Sequence, residues 1–165
     1  MKTRLVVVCC ALLAVITVFT MTAIAADNLA GTWKLNVAKS KYSPGPAPQS
    51  NTVKFDAIDG GVKLTADGVD SAGKKTHNEY TAKYDGKDNP TKPMLDGKAN
   101  PNAADSVAYK KVDDYTYEAT TKLKGKQLTV ARHVISKDGK TRTVTTTGTN
   151  VQGQKVNDVT VFEKQ

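Results

Sequence analysis

The sequence predicts an all-β protein, a single antiparallel up-and-down β-barrel of about 8–10 strands preceded by a cleavable signal peptide. Three observations predict it. Apolar residues recur at every second position in many short runs, the period of a half-buried strand. Asp-Gly and related turn signals separate those runs at regular intervals. No stretch beyond the first 25 residues carries the 3.6-residue period of an amphipathic helix.

The N-terminal segment reads as an address. Lys2 and Arg4 form a short positive region, Leu5 to Phe19 is apolar, and Ala23-Ile24-Ala25 is an A-x-A cleavage pattern. The expected division is therefore a signal peptide at 1–25 and a barrel domain at 26–165. Cys9 and Cys10 lie near the start of the apolar run with Val8 before them, the wrong place for lipid attachment, so both thiols depart with the signal. No later segment approaches the roughly 20 apolar residues of a membrane span. These features predict export to the periplasm or medium of a bacterium, without stable membrane insertion after cleavage.

Composition separates the two parts. The whole chain is 39% hydrophobic, but the first 25 residues hold 19 of those side chains, leaving the following 140 at about 32%, low for a globular domain. A period of two makes this sufficient, because a small barrel has one inner face to fill. The net charge of the chain is +8, and past residue 25 it is +6, from 22 Lys and Arg against 16 Asp and Glu. Only Arg132 and Arg142 of those cations are arginines. Dispersed lysines are solvated point charges that protect strand edges, so no nucleic-acid partner is expected.

The strands follow in order. Gly31 to Val37 alternates around Trp33, Leu35 and Val37; Val53, Phe55 and Ala57 come next, then Val62, Leu64 and Ala66 after the Asp59-Gly60-Gly61 turn. Further runs carry Tyr80, Ala82 and Tyr84; Val107 and Tyr109; Tyr115, Tyr117 and Ala119; and Leu128, Val130 and Val134. A Thr-rich run from Thr141 to Thr149 and a last one from Val156 to Glu163 bring the strands to about nine. Asp85-Gly86 is expected to be a turn. Tyr42 to Pro48, with three prolines, is expected to be an extended loop, and Asn89 to Asn102 a long loop whose Met94-Leu95 pair either plugs a barrel end or moves freely.

One hairpin can be set in register. With Asp138-Gly139 as a two-residue turn, Val134 lies opposite Thr143, Arg132 opposite Thr145 and Val130 opposite Thr147. The other face holds Ala131, His133, Ile135, Arg142, Val144 and Thr146. Neither is cleanly apolar, and a one-residue slip exchanges them, so the pattern leaves open which points inward. An inward Arg132 would need a carboxylate, a carbonyl, water or an anionic ligand as partner.

Gly31-Thr32-Trp33-Lys34-Leu35 and Val159-Thr160-Val161-Phe162-Glu163-Lys164 resemble the opening and closing strands of the calycin superfamily, the lipocalins and fatty-acid-binding proteins, and the whole chain is similar to exported bacterial lipocalin-like proteins. The resemblance implies a barrel closed around Gly31, Trp33, Arg142 and Phe162, with Arg142 or Arg132 packed over the indole. It also has limits. The Arg-x-Tyr pair that holds a lipid carboxylate in fatty-acid-binding proteins is replaced by Thr160 and Phe162, and the paired cysteines common in secreted lipocalins are absent, so ligand identity does not carry over.

Chemical motifs are sparse. His77, Glu79 and His133 have no spacing that brings them together on a metal, Asp67 to Asn78 lacks the acids of a calcium loop, and no G-x-S-x-G, phosphate-loop or zincin motif occurs. No catalytic residue, metal or cofactor is expected, and the chain is read as non-catalytic. The expected partner is a small hydrophobic or amphipathic ligand inside the barrel, lined by Phe55, Leu64, Tyr80, Tyr84, Tyr109, Tyr117, Val130 and Arg132. Two alternatives stand beside it: a barrel with a filled interior that acts through its surface and loops in interaction or stress, and an enzyme with His133 or His77 facing the cavity beside a carboxylate. Oligomeric state has no sequence signal.

Overall fold

A computed structural model describes residues 27–165, so the signal peptide expected at 1–25 lies outside the described residues. The chain forms twelve strands: β1 Gly31–Lys41, β2 Ser50–Ile58, β3 Gly61–Val69, β4 Lys75–Lys83, β5 Asp85–Pro90, β6 Met94–Leu95, β7 Lys98–Ala99, β8 Ser106–Lys111, β9 Thr116–Leu123, β10 Lys126–Ile135, β11 Thr141–Thr149 and β12 Lys155–Lys164. All belong to one curled antiparallel sheet in the order β5-β8-β9-β10-β11-β12-β1-β2-β3-β4-β6-β7. Successive strands are mostly neighbours, as short hairpin turns dictate; the non-consecutive pairings are β5 with β8, β4 with β6, and β1 with β12, the last of which brings the two ends of the described chain together.

Nine of these strands match the alternating runs of the sequence, and three do not. Tyr84 alone separates β4 from β5, so Asp85-Gly86 bends a strand that leaves β3 and goes on to pair with β8, where a reversal was expected. The expected loop at Asn89 to Asn102 instead contains the small hairpin β6–β7, docked on β4 with Met94 opposite His77 and Leu95 opposite Thr76. Asp96 and Gly97, at φ 49° and 75°, form its two-residue turn. The turn signal was in the sequence, but the flanking strands are too short to alternate. Tyr42 to Pro48 is a loop, as expected, and crosses β12 through a bond from Asn157 N–H to Ser43 O at 2.7 Å.

The concave face holds the core. Trp33, Leu35, Val53, Phe55, Val62, Leu64, Val107, Tyr109, Tyr117, Ala119, Ile135, Val144 and Phe162 are all buried, each on its strand's inward parity. The β10–β11 register is as read, with Val134 opposite Thr143, Arg132 opposite Thr145 and Val130 opposite Thr147. Its inward face is the one bearing His133, Ile135, Arg142 and Val144. β9 decides this: Tyr117 and Ala119 stand opposite His133 and Ala131, so burying them turns His133 and Ala131 inward. Val130 and Arg132 therefore lie on the convex face and are not ligand-lining residues; Arg132 meets Glu118 Oε1 at 2.9 Å outside.

Gly148 lies beside an irregularity in the neighbouring β9–β10 ladder. The β9–β10 pairing shifts between Gln127 and Thr129, and Gly148 lies opposite Thr129 with φ at 138°. A Cβ there would sit 2.2 Å from Leu128 O and 2.8 Å from Thr129 Cα, both backbone atoms that cannot rotate away. Gly148→Ala is expected to lower the unfolding free energy by about 3 kcal/mol through strain and overlap. Urea denaturation of both proteins measures this, and equal midpoints would contradict it.

Candidate functional site

One end of the curled sheet is closed from residues near the start of the described chain. Trp33 is fully buried and its indole Nε1–H donates to Leu29 O at 2.9 Å, which fixes the turn leading into β1. The Arg142 guanidinium lies 5.6 Å from the Trp33 ring and the Lys164 ammonium 5.1 Å from it. Gly31 makes room for Lys164: a Cβ at that position would sit 2.6 Å from Lys164 Cε. Beside this layer, the Asp27 carboxylate accepts O–H bonds from Tyr117, at 2.5 Å, and from Tyr84. Burial and then the bond to Asp27 push both phenols well above their ordinary range.

Above this closure lies an interior cavity of about 230 Å³. Phe55, Leu64, Val107, Val144 and Phe162 supply apolar wall, and Asn78, Tyr80, Tyr109, Thr121, His133 and Arg142 supply polar groups. None of the described residues around it is acidic. Tyr80 O–H donates to Tyr109 Oη at 3.2 Å, and burial raises the pKa of both. Thr91 and Ala104 form the rim from the segment between β5 and β8, with Thr91 Oγ1 donating to Ala104 O at 2.6 Å.

Arg142 is the cavity's charged group. It is 2% exposed, and its guanidinium carbon stands 4.1 Å from the Phe162 ring centre and 5.0 Å from that of Phe55. One nitrogen, Nη1, donates to His133 Nδ1 at 3.2 Å; Nε and Nη2 have no hydrogen-bond partner among the described residues. Burial lowers the guanidinium to about 10, so it stays charged at neutral pH. Burial and the neighbouring Arg142 charge hold His133 well below the usual imidazole range, hence neutral, with its proton on Nε2 because Nδ1 accepts. Asn78 Oδ1 is a further buried acceptor without a partner.

Of the expected ligand-lining residues, Phe55, Leu64, Tyr80 and Tyr109 meet at the cavity. Tyr84 and Tyr117 lie apart from it, turned to Asp27. Val130 and Arg132 are on the opposite side of the sheet. All four closure residues, Gly31, Trp33, Arg142 and Phe162, are at the core or its edge, and Arg142 additionally faces the cavity. Asn78 was missed, although it stands two residues from Tyr80 and so on the same strand face. His77 points outward and bonds Asp67 Oδ1 at 2.8 Å, while His133 faces the cavity beside Arg142, with no carboxylate at hand.

A larger surface groove of about 550 Å³ runs between hairpin β6–β7 and Leu123, lined by Pro93, Met94, Pro101 and neighbours. None of its lining residues carries a buried unpartnered polar atom, whereas Asn78 and Arg142, beside the interior cavity, carry three. Convergent polar groups in an apolar enclosure are what a binding site requires, so the smaller space is the stronger candidate. The chain matches no protein-family model and none of the curated proteins.

Proposed function

We propose that this is an exported, lipocalin-like β-barrel that binds a compact, partly apolar ligand in its interior and is not an enzyme. The observation that carries the reading is the cavity of about 230 Å³, where the apolar side chains Phe55, Leu64, Val107, Val144 and Phe162 meet the polar Tyr80, Tyr109, His133 and Arg142. At roughly 30 Å³ per water it has room for a molecule on the order of ten non-hydrogen atoms, much smaller than a long-chain lipid. Closure of the sheet into a barrel is supported by the run from β4 to β5, which joins the two sides of the ladder through Tyr84. The stacking of Arg142 on Trp33 supports the lipocalin resemblance, and the A-x-A pattern at Ala23-Ile24-Ala25 supports export.

Native mass spectrometry of the mature protein from its own host, followed by solvent extraction, tests the reading. The expected result is a retained small molecule of roughly ten non-hydrogen atoms, or saturable shifts of the Leu64 and Val144 amide resonances with small aromatic compounds. An empty protein whose interior resonances stay fixed throughout such a panel would favour a filled barrel acting through its surface.

A further inference from the structure

We propose that Asp59-Gly60, the turn between β2 and β3, is a site of spontaneous backbone modification, at which the aspartate passes through a cyclic imide to a β-linked isoaspartate. The chain contains five Asp-Gly pairs, beginning at Asp59, Asp67, Asp85, Asp96 and Asp138. In each, a carboxyl group precedes a nitrogen that no side chain shields, because glycine has no Cβ. The chemistry needs no co-reactant except water. The Gly60 nitrogen attacks Asp59 Cγ; the N–Cγ bond forms, a carboxyl C–O bond breaks, and that oxygen leaves as water with the amide hydrogen. Water then adds to either carbonyl of the ring. Opening at Cγ restores aspartate, and opening at the main-chain carbonyl leaves the peptide running through Cγ, with the original mass in both cases.

The fold separates the five pairs. Asp67 Oδ1 is bonded to His77 Nδ1 at 2.8 Å, and Gly68 is locked in the sheet between Asn51 and Thr76. Asp85 Oδ1 accepts the Lys87 N–H at 3.0 Å, and Asp96 Oδ1 the Lys75 N–H at 2.9 Å. Asp138 Oδ1 accepts from Ser136 Oγ and from the Lys140 N–H, while the Gly139 N–H donates to Ser136 O at 2.8 Å. Those bonds must break before the carboxyl carbon can swing to the next nitrogen. Asp59 is exposed and, among the described residues, its carboxyl makes no hydrogen bond or ion pair. A Cβ built on Gly60 would meet nothing within 4 Å, so the turn also has open space in which to rearrange. The consequence reaches beyond the turn. Ile58 and Gly61 pair directly across it, and Gly60 O accepts the Tyr84 N–H at 2.9 Å, which ties the turn to the bend between β4 and β5. A β-linkage adds one carbon to the main chain between Ile58 and Gly61 and displaces that oxygen.

The test incubates the intact mature protein in water enriched in heavy oxygen, followed by proteolysis and mass spectrometry with electron-transfer fragmentation, which distinguishes the β-linked product. Each passage through the imide leaves a heavy oxygen at that aspartate. Label at Asp59 is expected to accumulate at least about fivefold faster than at any other Asp-Gly pair, the factor by which one net hydrogen bond depletes the unbound carboxyl. In concentrated urea the five pairs should label at similar rates. Asp59→Glu, whose imide would be a larger ring, should show no label at that position. In the isomerised protein, separated by ion exchange, the Tyr84 amide should exchange its hydrogen faster than in the unmodified protein. Label spread evenly over the five pairs of the folded protein, or another pair in the lead, overturns the site. The same ranking in urea as in the folded protein overturns the account by hydrogen bonding, and label that persists in Asp59→Glu overturns the imide route. A Tyr84 amide equally protected in both forms overturns the link to the β4–β5 bend.

Discussion

Trp33→Ala is expected to lower the unfolding free energy by about 3–5 kcal/mol, the cost of emptying a large aromatic site that cannot collapse. The surroundings explain why it cannot. Trp33 is fully buried in β1, whose backbone is tied to Lys164 on one side and Val53 on the other. Arg142 and Lys164 rest near its ring and would lose their aromatic partner, and Leu29 O would lose the indole N–H. Trp33→Phe keeps an aromatic surface and removes the donor, so its cost should be nearer 1–2 kcal/mol. Because Trp33 is the chain's sole tryptophan, the urea transitions must be followed by circular dichroism. Losses of similar size for the two variants would show that the Leu29 bond, and not packing, is what Trp33 contributes.

The second large effect is alkaline unfolding. Burial raises Tyr80, Tyr84, Tyr109 and Tyr117 above the ordinary phenol value, and the bond to Asp27 adds to this at Tyr84 and Tyr117. Each phenol stays protonated in the folded chain while the unfolded chain ionises near pH 10, so the unfolded state binds fewer protons above that pH. Stability contributed by these groups is complete below about pH 10 and falls as pH rises, by about 1.4 kcal/mol per pH unit for each tyrosine. Tyr109 and Tyr117, 1% and 0% exposed, together remove about 3 kcal/mol per unit. Tyrosinate absorbance from the buried rings is expected to rise together with loss of the circular dichroism signal, in one transition. Tyr109→Phe should make the alkaline decline shallower. Buried tyrosines that ionise one by one while the fold persists would contradict the account.

Both effects depend on residues whose inward position was readable from alternation. Trp33, Phe55, Leu64, Tyr80, Tyr109 and Tyr117 each sit within a run whose parity is unambiguous, and each is on the concave side. The β6–β7 hairpin was less legible: Asp96-Gly97 is a turn signal, yet Met94-Leu95 forms a strand because β4 offers an edge to pair with. The β4–β5 bend has the same origin, since Asp85-Gly86 reads locally as a reversal but the partner β8 draws the chain onward. Asp27 had no sequence signal at all, because its partners Tyr84 and Tyr117 are distant in the chain.

Sequence alone determined that the described chain is strands and tight turns, and it set the β10–β11 register, because side-chain period and turn chemistry are local properties. It could not choose between the two faces of that hairpin. Arg132 and Arg142 occupy opposite faces, the first amid Val and Thr and the second amid Ala, His, Ile, Val and Thr, and their intrinsic preferences are the same. β9 made the choice: burying Tyr117 and Ala119 turned Arg142 and His133 inward and left Arg132 to Glu118. Which arginine faces the cavity is thus set by the burial of a neighbouring strand, a cooperative property of the sheet that no single stretch of sequence contains.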